Sequence, residues 1–145
     1  MVKAEGRSFP FDGVEKVAPA LLETFPYEYP EREAEVVVST DEWTCVCPFS
    51  GLPDFGTLTI RYVPEALCLE LKSLKYYLTS YRTVGIYQEH AANRVFDDLV
   101  ASCRPRRMEV QLDYRLRGGI HTVVTARQPQ EQGSEKPRSK SSKSE

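Results

Sequence analysis

Cys47 opens the run Cys47-Pro48-Phe49-Ser50-Gly51-Leu52-Pro53-Asp54-Phe55-Gly56, which sets a thiol and a carboxyl group seven residues apart. Two prolines and two glycines in this run predict a rigid loop between two strands. Loops held by a rigid scaffold commonly carry functional groups. A thiol there can attack an electrophile once deprotonated, and the nearby acid can supply or accept the proton. The plainer alternative is that Cys47 is one more small buried hydrophobe.

A second constellation is Glu70-Leu71-Lys72-Ser73-Leu74-Lys75-Tyr76-Tyr77. Lys72 and Lys75 are three apart, so both would reach one side of a helix near its start. Two ammonium groups beside a helix N-terminus would suit phosphate oxygens; an ordinary solvated face is the competing explanation. Arg117-Gly118-Gly119 puts a guanidinium beside a tight turn, again suited to phosphate or simply to a hairpin. Gln88-Glu89-His90 stands where a second helix is expected to begin. Glu89 would favour that helix dipole, and its carboxylate could equally accept paired N–H donors from a guanine-like edge. Cys45 and Cys47 form a C-x-C pair, but neither His90 nor His121 stands at metal-ligand spacing from them, so no metal is expected. No G-x-G-x-x-G follows a strand and no G-x-x-x-x-G-K-[ST] occurs, so the sequence gives no ground for a Rossmann or P-loop nucleotide site.

Periodicity predicts the elements that must position these residues. The Val36-Val37-Val38 run predicts a strand over 34–40. Leu58, Ile60 and Tyr62 alternate with polar residues and predict a second strand. Leu71, Leu74, Leu78 and Tyr81 recur at helical spacing and predict a helix over 71–82. Ala92, Val95, Phe96, Leu99, Val100 and Cys103 predict another over 88–103, ending at Pro105. Met108, Val110, Leu112 and Tyr114 alternate as a strand, and 120–126 returns as the last one. The order ββααββ implies an α+β fold, an antiparallel sheet with two helices on one face. Its open edges are most simply closed by self-association, so a homo-oligomer is expected. The first 33 residues should wrap the surface around one short helix near 19–24.

The chain has 145 residues, which favours one domain, here residues 1–127. Residues 128–145 hold no aliphatic or aromatic side chain and are expected to be a disordered polar tail. An apolar share of 41% suits a globular core, and a net charge of −2 gives no basic excess for binding nucleic acid directly. No apolar run is long enough for a membrane span, and the first residues lack a secretory signal. The expected location is the cytoplasm, with the cysteines as thiols.

Together the three constellations resemble the unimodular NADPH-dependent 7-cyano-7-deazaguanine reductases of queuosine biosynthesis, from about Pro19 to Val124. ELKSLKYY at 70–77 looks like the reductase signature E-[SL]-K-[SA]-x-K-[LY]-[YFW], and CPFSGLPDFG matches the family's C-P-x-[ST]-G-x-P-D-[FW] loop. RTVGIYQE at 82–89 and RGG at 117–119 follow in the family's order. The resemblance implies the tunnelling fold (T-fold), whose ββααββ subunits associate into oligomeric barrels with intersubunit active sites, often stacked rings such as a decamer. It implies that Cys47 adds to the nitrile of the deazaguanine (preQ0) to give a thioimide and that Asp54 donates the proton. Leu69, Glu70, Leu71, Gln88 and Glu89 would contact the substrate, with Glu89 as the anchor of the base. Leu71, Lys72, Arg117 and Gly118 would lie near NADPH, with Lys75 a further phosphate contact. One departure stands out: many relatives carry His directly before the anchoring Glu, where this chain has Gln88, which cannot titrate.

Three rivals differ in what they require. The archaeal amidinotransferases of the same fold keep a Cys and an Asp but lack the signature intact here. A non-catalytic purine binder would not need Cys47. A zinc hydrolase like GTP cyclohydrolase needs a Cys/His set that the sequence does not offer.

Overall fold

Strict alternation of buried and open positions makes one sheet the frame of the molecule. In the computed structural model, residues 2–128 are described. The tail expected at 128–145 therefore lies, past Gln128, outside the described residues. Strands β2 (Val36–Val46), β3 (Pro53–Val63), β5 (Arg107–Tyr114) and β6 (Val123–Arg127) form a four-stranded antiparallel sheet in the order β2-β3-β5-β6. Every second residue of β3 (Asp54, Gly56, Leu58, Ile60, Tyr62) and of β5 (Met108, Val110, Leu112, Tyr114) is buried. Two helices, α1 (Leu71–Thr79) and α2 (Gln88–Cys103), pack their apolar stripes on that face through Leu74, Tyr77, Ala92, Val95 and Leu99. Within the four-stranded sheet and its two helices the order of two strands, two helices and two strands is as expected from periodicity, and no helix among the described residues is long and apolar enough to cross a membrane.

Several boundaries differ from expectation for identifiable reasons. The first strand continues to Val46, because a register shift between Thr40 and Trp43 absorbs Asp41 and Glu42 without ending the pairing. Helix α1 stops at Thr79, where the Ser80 hydroxyl takes the Tyr77 carbonyl at 2.6 Å. Tyr81 lies beyond the helix yet stays in the core, its ring on Trp43 and its hydroxyl 2.8 Å from that of Tyr77. Tyr77 in turn donates to Asp98 of α2 at 2.6 Å, and Arg94 holds the same carboxylate at 2.9 Å, so a satisfied polar network ties the two helices together. The short helix expected near 19–24 is a single 3-10 turn, Pro19–Leu21. It is followed by a short strand unforeseen in the sequence, β1 (Thr24–Pro26), which pairs with β4 (Leu67–Leu69). That pair of three-residue strands sets the entry to α1.

Candidate active site

The chain reverses tightly between β2 and β3. Cys47 N–H donates to the Leu52 carbonyl at 2.9 Å and Gly51 N–H to the Cys47 carbonyl at 2.9 Å, which closes the turn over residues 47–52. Gly51 has φ of +71°, and a Cβ there would lie 2.4 Å from the Phe9 carbonyl oxygen, so only glycine fits. The N-terminal segment therefore braces this turn, and Phe9 N–H donates to the Ser50 carbonyl at 2.7 Å. Inside the turn the Ser50 backbone N–H, then the Ser50 hydroxyl and the Phe49 N–H, point at the Cys47 sulfur. With the Arg117 charge nearby, they hold the thiol below its ordinary range against the opposing effect of partial burial.

Asp54 belongs to strand β3 rather than to the loop, a correction to the sequence expectation: the rigid loop is only residues 47–52. Pro53 and Gly56 resemble loop composition, but Asp54 occupies the next inward position of the row Leu58-Ile60-Tyr62. A carboxyl group buried there, 4% exposed, requires a partner. Arg117 supplies it, as Nη1 donates to Asp54 Oδ1. Arg117 is aimed by the reversal after β5, where it pairs with Ile120 and Gly118 and Gly119 take φ of 56° and 77°.

Helix α2 delivers the third group. Residues 83–86 thread between the N-terminal segment and the end of β2. Asp12 N–H donates to the Thr83 carbonyl (2.8 Å), Val46 N–H to that of Val84 (3.0 Å), and Ile86 N–H to that of Val46 (3.2 Å). This fixes the first turn of α2 beside Cys47. Cys47, Asp54, Gln88, Glu89 and Arg117 line one cavity of about 340 Å³ together with Tyr87, Phe49 and Ile120, at the small end of the range of about 300–1,000 Å³ usual for ligand sites. Glu89 is exposed in the first turn of α2, and its backbone carbonyl accepts from Asn93 Nδ2 at 2.7 Å. The aromatic wall was not foreseen. Phe49 and Tyr87 meet edge to face at 5.8 Å although both are open to solvent, 71% and 46% exposed. Position 87, directly before the Gln-Glu pair, was the one local signal.

The α1 residues stand apart from this cavity within the chain. Glu70 caps α1, its carboxylate accepting from Lys72 N–H at 2.9 Å and Ser73 N–H at 2.6 Å, which keeps its own pKa below the ordinary value. The helix N-terminus proposed for phosphate is thus already occupied by Glu70, a correction that leaves the lysine side chains alone as phosphate candidates there. Leu69 is buried in β4, and Lys72 is exposed. Leu71 and Lys75 line a separate cavity of about 220 Å³ between α1 and β2, with Arg82 and Glu42 also on its walls. No lining residue is common to the two cavities.

Residues 53–133 match the family described as QueF-like protein. The chain is 54% identical over 125 residues to the NADPH-dependent 7-cyano-7-deazaguanine reductase of Caldicellulosiruptor bescii, covering 86% of this chain and 95% of that one. It is 57% identical over 106 residues to the protein of the same name from Thermomicrobium roseum, covering 73% and 83%. Among solved structures, the apo crystal structure of an archaeosine synthase QueF-Like superposes with a TM-score of 0.62 at 24% identity, over 66% of this chain and 94% of that one. At that identity the likeness is one of fold alone.

The turn around Cys47 makes a testable distinction between the two thiols of the C-x-C pair. Burial, then the Asp54 charge, pushes Cys45 up to about 12, whereas Cys47 lies below its ordinary value. A lowered pKa leaves thiolate present at a lower pH, so alkylation of Cys47 by iodoacetamide should reach half its limiting rate at a lower pH than that of a free cysteine thiol measured alongside. Cys45 should stay unmodified in the folded protein across pH 6–9. Peptide mapping by mass spectrometry separates the two, and equal labelling at pH 7 would contradict the geometry.

Proposed function

The chain belongs to the QueF-like protein family, and on that premise we propose that it reduces the nitrile of 7-cyano-7-deazaguanine to an aminomethyl group with NADPH, in queuosine biosynthesis. The observation that carries this reading is the meeting of a thiol of lowered pKa, a buried carboxyl group and an exposed carboxylate in one cavity.

A nitrile carbon is a poor hydride acceptor, and covalent addition first makes a C=N bond that is easier to reduce. Cys47 sulfur adds to the nitrile carbon, one π bond of C≡N opens, and the nitrogen takes up a proton. The atoms balance if the proton leaving the Cys47 thiol passes to Asp54 and from there to that nitrogen, giving a neutral thioimide. Arg117 keeps the Asp54 carboxyl group at this position between transfers. Bound NADPH would supply a hydride twice per turnover. After the first, Cys47 would depart as a thiolate into the turn of Phe49 and Ser50 N–H donors that suits it, leaving an imine that takes the second hydride together with a proton from solvent. Glu89, an acceptor-only group, would take the N1–H and amino protons of the base, and Gln88 would add a hydrogen bond. Phe49 and Tyr87 would flank its planar ring.

The residues present fit the cofactor. Lys72 and Lys75 enter no ion pair among the described residues, and Arg82 stands with Lys75 on the wall of the apolar cavity. Such charges suit phosphates. Leu71, Lys72, Lys75, Arg117 and Gly118 would hold NADPH, while the backbone of Leu69, Glu70 and Leu71 would contact the substrate. The Lys75 cavity and the Cys47 cavity share no lining residue within one chain, which supports a site built from two copies. We read the protein as a homo-oligomer of T-fold subunits, residues 1–127 forming one domain, with active sites between subunits. The outer strands β2 and β6 and the exposed Leu116, Ile120 and Val123 support that reading. Free thiols at all four cysteines accord with the cytoplasm. Neither nucleic acid nor membrane enters as a direct partner in this reading.

Purified protein mixed with 7-cyano-7-deazaguanine and NADPH should oxidise two equivalents of NADPH per base, and Cys47→Ala should abolish this. Turnover by the Cys47 variant would remove the proposal. Base recognition is tested in the same inactive Cys47→Ala background. Adding Glu89→Gln there turns one acceptor oxygen into a donor that faces a donor on the base. Affinity in calorimetric titration should fall by roughly 1–3 kcal/mol. Unchanged affinity, with only a slightly lower Tm, would reduce Glu89 to a helix-stabilising residue.

A further inference from the structure

Behind Asp54 lies a buried polar cluster that the proposed chemistry does not use. Strand register sets Cys45 directly across from Asp54, with Trp43 and Tyr114 on either side of Gly56 one row further along the same face. Trp43, Cys45, Asp54 and Tyr114 are all at least nineteen-twentieths buried. Trp43 Nε1 and Tyr114 Oη are, among the described residues, the buried side-chain polar atoms without a hydrogen bond of full geometry. Both donors lie beside the Cys45 sulfur, Trp43 also lies beside the Tyr114 hydroxyl, and the Asp54 charge acts on Cys45 and on Tyr114 alike. An indole N–H can only donate, whereas a thiol can accept through sulfur and donate through S–H. Burial and the Asp54 charge push the Cys45 thiol up to about 12, so it keeps its proton at neutral pH.

We propose that Cys45 is a positioning residue for Asp54: its sulfur accepts from Trp43 and Tyr114, and its S–H donates to the Asp54 carboxylate from the core side while Arg117 holds that carboxylate from the cavity side. The inference rests on the reading of Asp54 as carrier of the proton between Cys47 and the nitrile nitrogen. It explains why two costly unpaired donors lie at this one point of the core. It also assigns the first cysteine of the C-x-C pair a task other than nucleophile. Sulfur makes weak hydrogen bonds, so the arrangement orients the carboxylate without binding its charge so tightly that it no longer takes a proton.

The sign of the effect follows. A donor to the charged form of an acid favours that form. Removing it should therefore move the acid limb of the pH–rate profile for adduct formation to higher pH, and a stronger donor should move it lower. The groups that face Asp54 are Cys45 of β2, Tyr114 of β5, Arg117 of the hairpin, Cys47 of the turn, and Tyr87 and Glu89 at the start of α2. Of these, only Cys45 and Tyr114 change in the variants below, and each variant changes one of them.

The experiment measures formation of the covalent 7-cyano-7-deazaguanine adduct, without NADPH, by intact-protein mass spectrometry from pH 5 to 9. Cys45→Val, close in shape and without a donor, should shift the acid limb upward by up to about one unit. Cys45→Ser should shift it downward and keep the rate. Tyr114→Phe, which removes one donor to the sulfur and little volume, should shift it upward by less than Cys45→Val and serves if that variant folds poorly. Profiles that keep their midpoint while Tm falls would overturn the proposal, since a merely structural role scales the rate without moving the limb. Asp54→Asn is the separate control. If it forms adduct at the unsubstituted rate, the proton role of Asp54 fails and this inference with it. If it is slow while the Cys45 and Tyr114 variants keep the original midpoint, the inference alone fails.

Discussion

Asp54 is buried where the inward row of β3 would otherwise continue with an apolar side chain, and its charge is accommodated there because Arg117 reaches it from 63 residues further along the chain. Removing one partner of such a pair leaves an uncompensated charge and typically costs about 3–5 kcal/mol when both are buried. Here Arg117 is partly open to solvent, which reduces that cost. The pair still ties two distant pieces of the molecule, the β2–β3 reversal and the β5–β6 hairpin, at one point. Everything else in the site is arranged around it: Cys47 lies one turn before Asp54, and the start of α2 closes the third side.

The proposed nucleophile, Cys47, is set by a second constraint, this one made of backbone. The turn over residues 47–52 aims N–H groups at the Cys47 sulfur, and it can do so only with a glycine at 51, against which the Phe9 carbonyl packs. The N-terminal segment therefore supports the Cys47 turn, although it contributes no side chain to the cavity. The same segment meets residues 83–85, where Asp12 bridges to Val84 and Phe11 fills the space over Gly85. One strap thus fixes both the thiol and the entry to α2, so the distance between Cys47 and Glu89 depends on it.

Side-chain period and motif spacing made much of this visible before any coordinates. The inward rows of β3 and β5 and the stripes of α1 and α2 are written as regular apolar intervals, which is why the ββααββ order could be read directly. What period could not show were features decided by distant partners. Asp54 looks like a loop residue beside Pro53 and Gly56, and only the burial of the strand reveals it as a core position. Asp41 and Glu42 look like the end of a strand, and the bulge that carries them depends on the register with β3. The β1–β4 pair, three residues a side and with Pro26 in β1, is too short to give any periodic signal. The bond from Arg117 to Asp54 and the meeting of Phe49 with Tyr87 are tertiary facts, with no trace in local spacing.

In the proposed mechanism Arg117 would support Asp54 as well as neighbour the cofactor, whereas Lys72 would serve the cofactor alone. The rate of adduct formation from 7-cyano-7-deazaguanine in the absence of NADPH separates these tasks. Arg117→Ala should slow it by at least about tenfold, equivalent to about 1.4 kcal/mol in the barrier, while Lys72→Ala should leave it unchanged. Equal rates for the two variants would contradict the central claim that the Asp54–Arg117 pair organises the chemistry at Cys47.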